Sequence, residues 1–526
     1  MSSERSILVV GGGTAGWLTA CRMAKMLGSA RPGAPSVTLI ESPEIGTIGV
    51  GEGTFPTIKT ILQSIGIDEA RFMRESSATF KQGIKFADWV RTPENGVHSH
   101  YLHPFENPWG QNAPALAAYW LLLDEKARPQ FADTVTFQQR VTEAQRAPKL
   151  GHEGDYKGPL QYAYHLDALK FARLLTEVGA ELGVRHLKGT VDRVDLSDDG
   201  AIAAIHSPEH GELTADMYID CTGQRAELIG KALKVPFKRV NDVLFTDRAV
   251  ACQVPYDSED QAIESYTVST AHEAGWTWDI GLNTRRGIGY VYSSNHTTDE
   301  AAEARLRAYV GPKSKDVSSR VIKFDAGYRE QQWVKNCVAV GLSAGFFEPL
   351  ESTGIVLIEI AAGMLAELFT FDGPIDGAAA RFNTIMKTRC ENITNFIKLH
   401  YCVTKRTEPF WRDNADGRSI PDALHAMLDM WKYRPPSRFD FMLDVESFSY
   451  FSYQYILYGM EYRTEFDAAR QSVRDTVTAD QIFKRIQEYG EQAVRDLPSH
   501  RALIDQVYTS GFTPAPDKLM SVNARR

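Results

Sequence analysis

Several groups of residues in this chain have the types and spacing to do chemistry. Gly11, Gly13 and Gly16 form a GxGxxG turn. Such a turn lets backbone N–H groups come close to a pyrophosphate. Lys81 stands in Phe80-Lys81-Gln82-Gly83-Ile84, an apolar, glycine-containing setting with no adjacent acid. An amine held there loses its proton more easily than one in water, although a lysine in isolation is more often a surface residue on an edge strand. Trp276 and Trp278, two apart, point to one face of a strand, where they can pack as a core pair. His98, His100 and His103 have a spacing that suggests metal, but no carboxylate or cysteine constellation completes a site, so no metal is expected.

The elements that must position these groups are legible around the glycine turn. Ser6-Ile7-Leu8-Val9-Val10 reads as a buried parallel strand, residues 17–27 as a helix, and residues 36–41 as a second strand ending in Glu41. Gly11 makes the tight turn, Gly13 admits the pyrophosphate, and Gly16 lets the helix pack closely on the strand. Glu41 is placed to accept hydrogen bonds from a ribose. The motif alone does not separate NAD from FAD. Residues 215–223 and 336–345 favour FAD, because each is a strand running into a small-residue turn of the kind that returns the chain to a flavin. Each read alone is a plain core strand. Beyond about residue 380 the text becomes helical, with helices expected at 423–430 and 479–489. The aromatic run 447–455 between them lines a pocket or packs between helices.

Composition bounds the rest. The 526 residues exceed what one core needs, so two or three units are expected. A net charge of −9 with no basic run argues against a nucleic-acid partner. No stretch reaches the roughly 20 apolar residues of a membrane span, and the first residues run straight into the glycine turn without a secretory pattern. Six scattered cysteines with no CxxC pair read as reduced, mostly buried thiols, and the expected location is the cytoplasm.

Four further segments carry a resemblance: residues 48–56 (Ile48 to Pro56), 79–84, 276–280 and 349–355. With the glycine turn, they resemble the flavin-dependent tryptophan halogenases over most of the chain. The resemblance implies an α/β fold, with an FAD-binding unit of the monooxygenase type and a more helical unit covering the substrate. Residues 1–375 are expected to form the FAD, halide and substrate-site unit from interleaved segments, and residues 376–526 the helical cover. It implies FAD supplied as FADH2, a halide (chloride or bromide), a small aromatic substrate of indole or tryptophan type, and a separate NADH-dependent flavin reductase. A homodimer is left open.

The site residues follow from the same resemblance. Lys81 is implied as the residue that holds hypohalous acid, by hydrogen bond or as a haloamine. Glu351 is implied as the carboxylate that stabilises the cationic ring and helps remove its proton; a helix-start carboxylate is the alternative. Halide is placed at the backbone N–H groups of Thr353 and Gly354, where a bland helix cap is also compatible. FAD contacts are implied for Gly11, Gly13, Thr14, Ala15, Gly16, Glu41, Val50, Gly51, Val191, Leu342 and Ile355. His103, Phe105, Trp276 and Trp278 are implied for the substrate chamber. The chain departs from the WxWxIP pattern at Gly281, where proline is usual, and the backbone is expected to be looser there. Two other readings compete. An FAD monooxygenase would not need Lys81, the paired tryptophans or a halide loop. A non-catalytic flavin protein would bind FAD and be indifferent to loss of Lys81.

Overall fold

The short β-branched run after the first residues becomes a strand buried along four of its five positions, Ser6–Val10. It is flanked in parallel by Ser36–Glu41 on one side and Met217–Asp220 on the other. The computed structural model describes residues 5–43, 51–109, 113–442, 445–465 and 476–513. The chain folds into two compact units, each taking three stretches of sequence. The first comprises Met1–Ile67, Asp167–Asp247 and Lys323–Thr394; the second comprises Asp68–Leu166, Arg248–Ile322 and Asn395–Arg526. Both units therefore interleave along the chain.

The first unit is built on a six-stranded sheet. Its order is Trp333–Val334, Cys337–Ala339, Met217–Asp220, Ser6–Val10, Ser36–Glu41 and Arg185–Lys188. All neighbours run parallel except the first pair. Parallel strands need crossovers, and the helix Thr14–Leu27 supplies the first of them. It begins three residues before the expected start and stops at Gly28, whose φ of 66° closes the helix in the left-handed region. The helix Ala168–Glu181 is capped by Asp167, which accepts from the N–H groups of Leu169 and Lys170 at 3.1 Å. Gly179 on that helix lies against Trp17, and a Cβ there would meet the indole at 2.8 Å.

The second unit carries a seven-stranded sheet. Its order is Ser319–Lys323, Arg248–Pro255, Arg285–Tyr292, Gly275–Gly281, Thr267–His272, Gly83–Ala87 and His100–Pro104. A separate antiparallel ribbon pairs Thr79–Lys81 with Ala163–Leu166. The expected C-terminal helices are present as Asp422–Trp431 and Thr476–Asp496, with the helix His500–Ser510 after them. The aromatic run is itself helical over Tyr450–Gly459. Among the described residues no helix is long and apolar enough to cross a membrane.

Candidate active site

In the first unit the candidate cofactor surface is made of backbone. Gly11 has φ of 111°, and a Cβ there would lie 2.2 Å from the carbonyl oxygen of Cys221. At Gly16 a Cβ would sit 1.8 Å from the Gly11 oxygen, so the turn closes only with glycine at both positions. Gly13, by contrast, has nothing within 4 Å of where its Cβ would be, which leaves that face open to a ligand. Gly13 precedes the helix without a side-chain cap, so the first-turn N–H groups at Thr14 and Ala15 are available to an anion. This cradle fits the pyrophosphate of FAD. Glu41 ends its strand over Gly12 and is held by His186 at 2.8 Å.

Two distant turns converge on the same place. Cys221 touches Gly11, and Gly341, with φ of 75°, would place a Cβ 2.6 Å from Ala15. The 215–223 and 336–345 segments thus return to the glycine turn, with strands Met217–Asp220 and Cys337–Ala339 leading in. Leu342 is 40% exposed on the Gly341–Ser343 turn. Val191 packs against the sheet core around Leu8 and Val10, and Ile355 is buried in the helix Thr353–Leu368. Gly51 is buried with φ of 110°. Val50 lies outside the described residues. Sequence reasoning missed Asp220. Fully buried, it accepts from Thr222 N at 3.0 Å, Thr222 Oγ1 at 2.7 Å, Leu228 N at 2.9 Å and Ile229 N at 2.8 Å. It therefore pins the loop that touches Gly11. An acid ending an apolar strand two residues before a Thr-Gly turn was the available signal.

Glu351, also in the first unit, is buried at the end of a single 3-10 turn, Pro349–Glu351. Ser352 follows with φ of 56°, a left-handed conformation that costs a non-glycine residue roughly 1–3 kcal/mol. The helix Thr353–Leu368 then starts without a side-chain cap hydrogen bond. Gly354 has open space where a side chain would stand. Amide donors in the first turn of a 16-residue helix, next to a glycine with no side chain, suit a small anion. Of the neighbouring acids, Glu348 is buried and takes the Thr246 hydroxyl. Burial pushes the Glu359 carboxyl up to about 8, opposed by a hydrogen bond from Thr57.

In the second unit the candidates are buried side chains. Lys81 is fully buried, with its Nζ 5.3 Å from the centre of the Phe105 ring, so the surface-lysine alternative fails. Phe105 is drawn to this strand by its N–H bond to the Gln82 carbonyl at 3.1 Å. Gly83 is needed for that approach, because a Cβ there would meet the His103 carbonyl oxygen at 2.4 Å. His103 is buried, 5.9 Å from the Phe396 ring and 6.1 Å from Tyr455. Tyr455, from the ambiguous aromatic run, donates to the Glu106 carbonyl at 3.0 Å. Tyr453 in the same helix packs on Phe396, Trp431 and Phe441. The run thus serves both as packing and as surroundings for His103.

Trp276 and Trp278 are buried with ring centres 6.4 Å apart, and neither indole N–H finds a partner. Gly281 differs from expectation. It is held in register opposite Arg286, and its carbonyl accepts from Thr79 Oγ1 at 2.6 Å. A Cβ there would lie 2.7 Å from Ile263, so crowding, and not looseness, accompanies the glycine. His98 and His100 pair with Asp88 and Glu143. Among the described residues no cluster of three or more metal-ligating side chains forms.

Behind the Lys81 strand lies a buried ionic network that the sequence did not disclose. Glu69 receives Lys149 Nζ at 2.8 Å, Tyr162 Oη at 2.8 Å, Tyr164 Oη at 2.7 Å and the Tyr156 N–H at 2.7 Å. Tyr164 is the cross-strand partner of Phe80.

The model of the tryptophan halogenase family matches residues 6–475. A tryptophan 6-halogenase of Streptomyces toxytricini is 35% identical over 513 residues, covering 94% of this chain and 96% of the relative. The crystal structure of a tryptophan halogenase from Shewanella frigidimarina superposes with a TM-score of 0.92 at 39% identity, covering 97% of this chain and 99% of that one. A flavin-dependent halogenase from Xanthomonas campestris gives a TM-score of 0.85 at 32% identity, with 97% and 99% covered.

Proposed function

The chain belongs to the tryptophan halogenase family, and from that premise we propose that it halogenates an indole or tryptophan-type ring using Lys81 as the group that presents the electrophile. It is a flavin-dependent halogenase, and its fold joins an FAD-binding unit of the monooxygenase type to a part richer in helices. The observation that carries the assignment to Lys81 is a fully buried amine 5.3 Å from the Phe105 ring.

Bound FAD, delivered reduced by a separate NADH-dependent reductase, supplies with oxygen the oxidation of chloride or bromide to hypohalous acid. The glycine turn and Glu41 hold the dinucleotide, and the N–H groups of Thr353 and Gly354 hold the halide. Lys81 donates a hydrogen bond to the hypohalous oxygen. As the ring carbon bonds to halogen, the halogen–oxygen bond breaks and its electron pair stays on oxygen. That oxygen leaves as water with a proton from the Lys81 ammonium. The carboxylate of Glu351 removes the ring proton and restores aromaticity. His103 and Phe105 flank the ring, and Trp276 and Trp278 wall the chamber so that oxygen transfer does not compete. Unpaired cysteines fit a reducing cytoplasm.

The test is mass spectrometry of a tryptophan and indole mixture incubated with enzyme, FAD, reductase, NADH, oxygen and either halide. A halogen isotope pattern on one substrate supports the proposal. Oxygenated product would replace it with monooxygenase chemistry, and turnover without added reductase would remove the separate reductase.

A further inference from the structure

One buried basic side chain beside Lys81 has no place in the chemistry above. In the ribbon formed by Thr79–Lys81 and Ala163–Leu166, Thr79 stands opposite His165 and Lys81 opposite Ala163. Side chains alternate along a strand, so these four share one face while Phe80 and Tyr164 share the other. His165 is thus the diagonal neighbour of Lys81, and such Cβ atoms lie roughly 7–8 Å apart, within reach of a lysine. Directly opposite Lys81 stands only alanine.

His165 is fully buried. Its Nε2 lies 2.8 Å from Thr267 Oγ1, while its Nδ1 is shielded from solvent and lacks any hydrogen-bond partner. A buried ring nitrogen without a partner is costly and calls for an explanation. Burial, and after it the positive charge of Lys81, holds the imidazole well below its usual range, with His500 contributing least. The ring is therefore neutral at working pH. His500 approaches from the helix His500–Ser510; its Nδ1 is tied to the Ile263 carbonyl at 2.8 Å and its ring is pushed down to about 4, so it adds no charge. Thr267 approaches from the strand Thr267–His272. Glu69, Lys149, Tyr162 and Tyr164 pack with Phe80 on the opposite face.

We propose that His165 is a positioning residue for Lys81: its Nδ1, unpartnered in the structure, is the acceptor that the lysine ammonium takes up when hypohalous acid binds, and it then fixes the direction in which the remaining N–H groups meet the hypohalous oxygen. The tautomer follows: Nε2–H donates to Thr267, and Nδ1 carries the lone pair. The inference rests on the role of Lys81 proposed above. A bond accepted from the ammonium favours its charged form. The wild-type rate should therefore persist to higher pH than that of a variant without the acceptor.

The experiment measures kcat and KM against pH for the FAD-loaded enzyme, His165→Phe, His165→Gln and Lys81→Ala. His165→Phe should lose about 10–100-fold in kcat, with KM for the aromatic substrate little changed and the alkaline limb moved to lower pH. His165→Gln, which restores an acceptor oxygen, should recover most of both. A uniform loss with an unmoved limb, or a glutamine variant as poor as phenylalanine, overturns the proposal. Should His165→Phe not fold, 15N NMR of histidine-labelled wild-type enzyme decides: the His165 Nδ1 signal must respond to Lys81→Ala, and an unchanged signal overturns the role. Full activity in Lys81→Ala would remove the relay itself. An inactive Lys81→Ala beside unaltered His165 variants would remove only His165.

Discussion

The two units solve recognition in opposite ways. In the first, the proposed ligand surface is backbone, and its decisive residues are those with the fewest atoms: Gly11 and Gly16 are closed by carbonyls at 2.2 and 1.8 Å from any added Cβ. In the second, the candidates are large buried side chains on strands, and behind them stands a fully buried Glu69–Lys149 pair with two tyrosines. Adding atoms should therefore harm the first unit, and removing partners should harm the second. A backbone site is fixed by what cannot be present, whereas a side-chain site is fixed by what holds it from behind.

Glu351 is the case that tests this contrast most severely, because it is a side chain proposed for chemistry within the backbone-dominated unit. Glu351→Gln should lower the halogenation rate by a factor on the order of 10²–10⁴ while FAD binding stays intact, measured by steady-state turnover and flavin titration. Unchanged turnover would take Glu351 out of the mechanism and leave the first unit purely a cofactor holder.

Next in size is the support behind Lys81. Glu69→Gln leaves the Lys149 ammonium buried without its counter-charge. Breaking such a pair costs about 3–5 kcal/mol, which chemical denaturation would resolve. A loss under about 1 kcal/mol would mean that the network does not support the strand as argued. The matching change in the first unit is Gly16→Ala. Overpacking of about 1–3 kcal/mol predicts FAD affinity weaker by roughly 5- to 150-fold, with Lys81-dependent chemistry restored at saturating FAD. Wild-type affinity would show that the turn relaxes.

The smallest effect concerns Glu359, buried in the first unit with its carboxyl pushed up to about 8. Its folded value lies above the ordinary carboxylate range, so the folded state binds the extra proton between the two. Stability is then lost as pH rises from about 5 through 8. Glu359→Gln should melt with wild type near pH 5 and at a higher temperature near pH 8. A constant offset at both pH values would show that another group carries the dependence.

These contrasts also explain how much was legible in the sequence. The glycine turn, both flanking strands and Glu41 could be read because sterics leave glycine no substitute and the pattern is contiguous. Lys81 was legible only through the resemblance, since nothing local distinguishes a buried lysine from an exposed one on Phe80-Lys81-Gln82. His165 and the Glu69–Lys149 pair were hidden because their meaning depends on cross-strand register and on partners distant in sequence. Gly281 was misread because losing a proline suggests freedom, whereas the strand ladder and Thr79 fix it. The run 447–455 stayed ambiguous because aromatic residues suit packing and pocket alike, and Tyr455 and Tyr453 divide those duties within one helix.

The most direct test of the account is a comparison of wild type with Lys81→Ala under matched FAD, reductase, NADH, oxygen and bromide, read by mass spectrometry and by flavin titration. Brominated ring product is expected only from wild type, with equal FAD binding by both proteins. Substantial brominated product from Lys81→Ala would contradict it.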